Sequence, residues 1–499
     1  MLTTMVLAKL TIGPYHDNGR GLTNMKVSRS RVTIHLTVYL LWLGAWMPFV
    51  TADNHGAEAP VSYHSQIVPI LKRSCQGCHH PGDPNGGLIV TTYTDLKQGG
   101  MAGDATIVPG KPDDSLIIEL ISGDEPAMPQ NMEPLSHEEV ELFRRWILEG
   151  ASDDTPAEVD DIGEGNYPIY TVPPVVTALA YSPDGSTLAV SGVREVLLYD
   201  TANYELKARL VGKARRIESL TYTADGKILG MAGGSAAQFG EVQLWNTTTN
   251  TLIKAMRSSY DTIYGLSFSP DASRVAFGCS DQTVRVLSVE DEKELIKFDN
   301  HSDWVFGTVF SVDGSHFVSC GRDTALKLVE VDTGSFVDDI NSSNKGYGEI
   351  NTIARHPTED QVLSAGEDRI PRLYKIFREI RRDVGNTDFN LIQAYEAQSG
   401  TIEGVAFSAD GSRFATGSAG GEARIYNVAD GKRLASMQGD AVGVFAVSFH
   451  PDGTQLATGG FDGKIRIFDA SGKLLNAFMS VPIEPAGSED VTLVVSGMT

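Results

Sequence analysis

Cysteine is scarce in this sequence: there are four among 499 residues, and two of them, Cys279 and Cys320, stand alone. A structural zinc site needs four ligands, commonly two close pairs of Cys or His. A thioredoxin-like dithiol would open a helix in a βαβ unit, and no such unit is visible around the close pair Cys75 and Cys78. The scarcity argues against both of these interpretations of that pair.

Basic residues are also few, with 41 Lys and Arg against 64 Asp and Glu, for a net charge of -23. This balance argues against nucleic acid or anionic lipid as a partner. Long apolar runs are missing too, apart from residues 34–50, which reach only the lower limit for a membrane-spanning helix. From the negative net charge we expect partners with neutral or basic surfaces.

Residues 1–52 are interpreted as a leader with a secretory signal peptide. From Met25, which is an alternative functional start, a basic stretch precedes the apolar core Leu36–Trp46 and small residues precede Asp53. This order is typical of a cleaved signal peptide. We expect a periplasmic or otherwise exported protein; if the leader is not cleaved, it would be a membrane anchor.

The segment Cys75-Gln76-Gly77-Cys78-His79 has the spacing of a c-type haem attachment signature. Two thiols one helical turn apart can add to the two vinyl groups of one haem, and the adjacent imidazole can then ligate the iron. The prediction is one covalent haem c, attached through Cys75 and Cys78, with His79 as the proximal iron ligand.

A small helical domain is predicted around this motif, over residues 60–151. Residues 63–74 predict a helix that Pro69 shortens or kinks, and residues 81–115 predict loops. Ser136 and Glu139 form a capping box for a last helix, which ends at Gly150.

Met128, which Pro129 follows, is the predicted distal iron ligand. Met132 and Met101 are its rivals, and His80 and His137 are weaker candidates. The alternative role of Met128 is filling the core, which is the commoner role of methionine. Methionine and histidine ligation would indicate electron transfer, because it leaves no open position on the iron.

Residues 60–151 resemble the planctomycete-type cytochrome c domain. The resemblance is carried by Val68–Leu71, Cys75–His79, Gly86–Leu88, Ile107–Pro112, Ser115–Leu116, Met128–Pro129, Leu135–Ser136, Trp146–Ile147 and Gly150–Ala151. It implies one covalent haem and does not supply a partner or a reaction. An acidic linker is predicted at 152–166, where acidic residues occur without any basic one.

A turn recurs in the remaining sequence at intervals of 41 to 46 residues, with one interval of 52. Each turn follows an alternating apolar strand, which is typical of propeller blades of four strands. The seven turns predict seven blades over 167–480, followed by a tail at 481–499. They lie at Ser182–Gly185, Thr223–Gly226, Ser269–Ala272, Ser311–Gly314, His356–Glu359, Ser408–Gly411 and His450–Gly453.

The units resemble divergent WD repeats. The second keeps a strand-ending tryptophan, Trp245, and the fourth keeps His301, Ser319 and Asp323 at the positions of the family's buried hydrogen-bond network. Either residues 167–172 or residues 473–478 could supply the outer strand of the last blade. Cys279 and Cys320 occupy equivalent second strands, as free thiols or as a disulfide between blades.

The predicted fold class is multidomain, a small all-α cytochrome c-like domain followed by an all-β seven-bladed propeller. The predicted function is electron transfer by an exported cytochrome whose propeller docks a protein or ligand; its redox partner is unknown. The alternatives are a haem-fed oxidoreductase with its catalytic centre on the propeller, or a scaffold with a structural or sensory haem. Catalysis is the less favoured prediction, because no His, Asp and Glu cluster at ligand spacing is visible in the propeller sequence.

Overall fold

The computed structural model describes residues 59–81, 83–101, 105–130, 132–156, 165–341, 347–378, 390–438 and 443–484. The predicted leader lies outside these residues, as do most of the predicted linker and most of the predicted tail. The described residues from 60 to 484 belong to one compact unit. Within the described part of the chain, no helix combines the length and the apolar character needed to cross a bilayer.

The N-terminal region of this unit contains a few short helices joined by irregular segments, so the predicted all-α domain is supported only in part. A π-helical turn, Tyr63–Ile67, leads directly into α1, Val68–Ser74. The other helices are α2 (Tyr93–Gln98), α3 (Leu116–Ile121) and α4 (His137–Leu148), with 3₁₀ turns at Asn85–Gly87 and Pro112–Asp114. Two strands of two residues each, β1 (His79–His80) and β2 (Asp83–Pro84), pair in antiparallel fashion.

The predicted capping signals act as expected in α4. The Ser136 side chain accepts the N–H of Glu139, and the Glu139 carboxylate accepts the N–H of Ser136, which completes the capping box. Gly150 follows the helix with a φ of 105°, a value that favours glycine. The interruption predicted at Pro69 is also observed, since the π-helical turn changes to α-helix at Val68.

The prediction of loops throughout 81–115 is wrong for α2. Thr92 caps this helix by accepting the N–H of Asp95, and Leu96 is completely buried beneath it. Six residues are too few for a helical period to be visible in the sequence, so only the cap could have indicated the helix.

An aromatic core holds the N-terminal helices together. The rings of Tyr63 and Trp146 stack with their centroids 5.2 Å apart, and Phe143 packs against Trp146 edge to face. Tyr93 packs edge to face on Tyr63. The polar groups of Trp146 and Tyr93 have partners: the Trp146 indole donates to the Ser152 carbonyl, and the Tyr93 hydroxyl donates to the Ala151 carbonyl. The region therefore has an apolar centre made by its own side chains.

Seven four-stranded antiparallel sheets follow, and they confirm the predicted seven-bladed propeller. Each blade uses four consecutive strands, from the centre of the ring outward. Blade 1 contains β3 (Leu179–Tyr181), β4 (Thr187–Ser191), β5 (Glu195–Asp200) and β6 (Leu206–Val211); blade 2 contains β7 (Arg216–Tyr222), β8 (Ile228–Ser235), β9 (Phe239–Asn246) and β10 (Thr251–Ser259). Blade 3 contains β11 (Ile263–Phe268), β12 (Arg274–Cys279), β13 (Val284–Ser288) and β14 (Glu294–Phe298); blade 4 contains β15 (Val305–Phe310), β16 (His316–Gly321), β17 (Leu326–Glu330) and β18 (Phe336–Asp339).

The last three blades repeat the plan. Blade 5 contains β19 (Ile350–Arg355), β20 (Gln361–Gly366), β21 (Arg372–Lys375) and β22 (Leu391–Ala394); blade 6 contains β23 (Ile402–Phe407), β24 (Arg413–Ser418), β25 (Glu422–Asn427) and β26 (Arg433–Gln438). Blade 7 contains β27 (Val444–Phe449), β28 (Gln455–Gly460), β29 (Lys464–Asp469) and β30 (Leu474–Met479).

The recurring turns join the first and second strands of the blades. In blade 1, the Asp184 carboxylate accepts the Ser182 hydroxyl at 2.6 Å and the Ser186 N–H at 3.0 Å. Equivalent hydrogen bonds hold the pKa of Asp313 and of Asp410 down at about 2. The turn residues were recognisable in the sequence because six of the seven turns have this aspartate in the same place; in the fifth, the His356 ring accepts the N–H groups of Thr358 and Glu359 instead.

The antiparallel order gives the ring two different faces. The recurring turns lie on one face. Turns between second and third strands lie on the other, together with the connections that enter the next blade. We call this second face the connector face.

The ring closes without a strand shared between its two ends. The outer strand of blade 7 is β30, so the alternative in which residues 167–172 supply it is wrong. Tyr170 instead forms an isolated parallel bridge with Ile483, and the Val176 N–H donates to the Gly460 carbonyl. Apolar side chains of blades 1 and 7 complete this seam in one buried cluster.

Two further predictions for the propeller concern its interior. His301 bonds the Asp323 carboxylate through Nδ1 at 2.9 Å and the Ser319 hydroxyl through Nε2 at 2.8 Å, so the predicted network is present and buried. Cys279 and Cys320 are free and fully buried, and burial raises the pKa of the Cys279 thiol to about 12. Both thiols are therefore core residues.

Candidate functional site

Helix α1 ends at the cysteine pair and presents it in a tight turn. The Cys75 N–H still bonds to the Leu71 carbonyl, and the Cys75 carbonyl then accepts the N–H groups of Cys78 and His79 at 3.2 and 3.1 Å. This turn holds both thiols and the imidazole within one stretch of five residues. We call residues 75–80 the attachment loop.

The two thiols differ in environment. Cys75 is half-buried against the apolar core of the N-terminal region, whereas Cys78 is exposed, and both are free. Burial raises the pKa of Cys75 to about 11, against a smaller opposing effect of Arg73. Cys75 is therefore a protonated thiol at neutral pH.

The imidazole of His79 is oriented by a backbone carbonyl six residues further along the chain. Its Nδ1 lies 2.9 Å from the Asn85 carbonyl oxygen. Because a carbonyl can only accept, Nδ1 carries the proton and Nε2 keeps its lone pair. This arrangement orients the ring with Nε2 available as a metal ligand. Nothing in the sequence pointed to Asn85, because its contact is made by a backbone carbonyl.

The candidate distal ligands separate by exposure. Met128 is half-buried and packs against the same apolar cluster as Cys75, and its N–H donates to the Leu120 carbonyl. Met132 is 54% exposed and Met101 is 82% exposed. His137 is the exposed first residue of α4, and the His80 ring stacks on that of Tyr260.

These residues fit a c-type haem by the chemistry of their donor set. Two free thiols stand one turn apart, and an imidazole whose Nδ1 contacts a backbone carbonyl follows them directly. Cys75 and Cys78 would form the two thioether bonds, His79 would ligate the iron, and Met128 is the thioether that borders the same core.

A second candidate site is an aromatic cluster on the connector face, at blades 3 and 4. Tyr264, Trp304 and Phe306 contact one another with ring centroids 5.5 to 6.5 Å apart. The Arg322 guanidinium lies 5.6 Å from the centre of the Trp304 ring, and 38% of Trp304 is exposed. Trp, Tyr and Arg are the residue types most enriched among the side chains that dominate protein interfaces.

Comparison with protein families agrees with this architecture. Residues 75–131 match the family described as planctomycete cytochrome C. The WD domain, G-beta repeat model matches residues 250–288, 292–329, 389–427 and 431–469. Each matched repeat starts at the outer strand of one blade and ends with the third strand of the next. The chain thus combines a planctomycete cytochrome C segment with a seven-bladed propeller containing WD repeats.

Individual relatives cover only parts of the chain. WD repeat-containing protein 1 from Xenopus tropicalis is 27% identical over 41% of this chain and 34% of its own length. Actin-interacting protein 1 from Drosophila melanogaster is 25% identical over 40% of this chain and 33% of its own length. WD repeat and SOCS box-containing protein 1 from Danio rerio is 32% identical over 19% and 22%. The chain therefore spans about a third or less of these relatives.

Proposed function

We propose that this protein is an exported c-type cytochrome that transfers electrons through one covalent haem and docks a protein through its propeller. The observation that carries the proposal is the attachment loop, in which two free thiols and an imidazole oriented by Asn85 occupy one turn. When bound, the haem would supply a one-electron couple at its iron. The match of residues 75–131 to the planctomycete cytochrome C family supports the same conclusion.

Different residues would hold different parts of the haem. Cys75 and Cys78 would prevent its loss, and the hydrogen bond from Nδ1 of His79 to the Asn85 carbonyl orients the imidazole and leaves Nε2 to face the iron. Met128 would fill the remaining iron position, which favours electron transfer over oxygen chemistry.

Haem attachment is tested by replacing both thiols, Cys75→Ala and Cys78→Ala together, in chain secreted from a host that attaches c-type haem. The wild type should give a haem-stained band after denaturation and the double variant none, while both keep the circular dichroism of the propeller. Cys279→Ala is the matched control, because this free cysteine is buried in blade 3. A stained band from the double variant would refute the assignment.

The protein-docking part of the proposal is supported by the WD repeats and by the aromatic cluster of the connector face. Trp304→Ala should slow reduction of the haem by the exported protein fraction of the native cell at least tenfold, since such a side chain can dominate an interface. Phe336→Ala removes an equally exposed aromatic residue from the outer strand of blade 4 and should have no effect. Equal rates for the two variants would contradict docking at this cluster.

A second candidate function, a binding scaffold with a structural haem, is favoured by the WD-repeat relatives. One of them is an actin-interacting protein, although this chain spans only 33% of it. A haem that shows no reversible one-electron wave in voltammetry of the intact protein would favour the scaffold over electron transfer.

A further inference from the structure

The attachment loop contacts the propeller at two points. The Gln76 side-chain amide donates to the Ala237 carbonyl at 2.7 Å, and the His80 ring stacks on the Tyr260 ring with centroids 4.0 Å apart and planes at 22°. Gln76 is only 9% exposed, although Gly77 and Cys78 beside it are exposed. The two contacts stand on either side of Cys78 and His79.

Blade 2 is lengthened where these contacts are made. Its second and third strands, β8 and β9, have eight residues each, and its outer strand β10 has nine. In the other six blades the second and third strands have four to six residues. The extra length extends the turn between β8 and β9, which contains Ala237, beyond the equivalent turns on the connector face.

The acceptor in that turn is held in position by the next connection. The Ala237 N–H donates to the Asp261 carboxylate at 3.1 Å, and the same oxygen accepts the Thr262 N–H. Ala237 has a φ of 55°, a conformation that is uncommon for a residue with a side chain. Tyr260 directly precedes Asp261, so one connection supplies the stacking ring and anchors the hydrogen-bonding turn.

Neither contact is required by haem attachment itself. The chemistry of the signature uses the two thiols and the imidazole, and it leaves the residue at position 76 free to vary. A glutamine whose amide is buried needs a partner, and the propeller carbonyl provides one. The two contacts therefore hold the attachment loop against the propeller.

We propose that Ala237 and Tyr260 form a dock for the attachment loop, and that Gln76 and His80 are the positioning residues that seat the loop in it. The inference rests on the proposed function and deepens it: with the loop held against the propeller, the propeller would help to exclude water from a haem attached to Cys75 and Cys78 and so help to set its reduction potential. Burial of a haem disfavours the more highly charged ferric form, so the dock raises the potential.

The test uses the full-length chain with and without haem, in two variants that each remove one contact. Gln76→Glu keeps the size of the side chain but cannot donate to the Ala237 carbonyl, and Tyr260→Ala removes the stacking ring. Amide hydrogen exchange in peptides covering residues 75–90 should become about tenfold faster in either variant, the size expected for losing one buried polar or aromatic contact. In the haem-loaded protein the reduction potential should fall.

Two control variants make these results specific. Gln238→Ala truncates an exposed glutamine in the same turn, one residue from Ala237, and should leave exchange and potential unchanged. Tyr260→Phe retains the ring and should restore the wild-type exchange rate and potential. Unchanged exchange and potential in both Gln76→Glu and Tyr260→Ala would overturn the dock.

Failure of the dock and failure of the proposed function give different results. If haem attaches but both dock variants behave like the wild type, the cytochrome assignment stands and the dock is refuted. If no haem attaches but exchange in the haem-free chain accelerates in both variants, the dock stands as a contact between the loop and the propeller and the electron-transfer function is refuted.

Discussion

The seam between the first and last blades contains a buried ion pair whose removal should be costly. The Glu195 carboxylate is completely buried; it accepts Nε and Nη2 of Arg209 at 2.6 Å each and the Tyr170 hydroxyl at 2.8 Å. Arg209 also donates to the Pro168 carbonyl. One guanidinium thus fixes a blade 1 carboxylate and the segment that bridges to Ile483.

The variant Arg209→Met keeps much of the apolar length of the side chain and removes the charge. Breaking a buried pair from one side costs about 3–5 kcal/mol, because a charge is left without a partner. The Arg209 side chain is 15% exposed, so we expect the lower end of this range, a loss of about 3 kcal/mol in the free energy of unfolding. Urea unfolding followed by circular dichroism measures it.

The double variant completes the thermodynamic cycle. Glu195→Gln retains an acceptor for Tyr170 and removes the charge, so Glu195→Gln with Arg209→Met should recover most of the stability lost in Arg209→Met alone. A loss below about 1 kcal/mol for Arg209→Met at pH 7, the value of an exposed pair, would refute the argument. So would a double variant that is no more stable than the single one.

Three other outcomes are expected. Met128→Leu should remove the methionine–iron absorption band of the oxidised haem while Met132→Leu keeps it; the reverse would make Met132 the ligand. Burial raises the pKa of Glu218 above its usual range despite the ion pair with Arg216, so the free energy of unfolding should fall as the pH rises through that pKa. Glu218→Gln should flatten this part of the pH profile of stability. An unchanged profile would contradict this argument. Hydrogen bonds from Ser315 to Asp313 and from Ser408 to Asp410 lower the pKa of each carboxyl to about 2, so the stability that these carboxylates contribute is lost as the pH falls from roughly 4 to about 2. Acid unfolding followed by circular dichroism should therefore depend less on pH in Asp313→Ala. An identical pH dependence would contradict a stabilising role of these turn carboxylates.

The sequence predicts the propeller well because six of the seven blades repeat the same local requirement. A carboxylate closes the turn between the first two strands, as Asp184 does, and six of the seven turns carry an aspartate there. The capping box of α4 was equally visible, since Ser136 and Glu139 satisfy each other within four residues. Such local chemistry leaves a fixed spacing in the chain.

The remaining features depend on contacts between distant parts of the chain. Gln76 and Ala237 are 161 residues apart, and neither residue type predicts the other. The choice of β30 for the last blade could not be read from the sequence either, because residues 167–172 have a similar strand pattern. Ring closure is decided by packing of blade 1 against blade 7.

Because each blade is a continuous segment, the chain could begin at a different blade without changing the order of the blades around the ring. The propeller segment has its ends beside each other, where Tyr170 bridges to Ile483. A circular permutant that joins residue 484 to residue 165 and opens the chain between β14 and β15 would retain all seven sheets with their strands in register. In such a permutant the ring would stay the same while the cytochrome region could be attached at any blade.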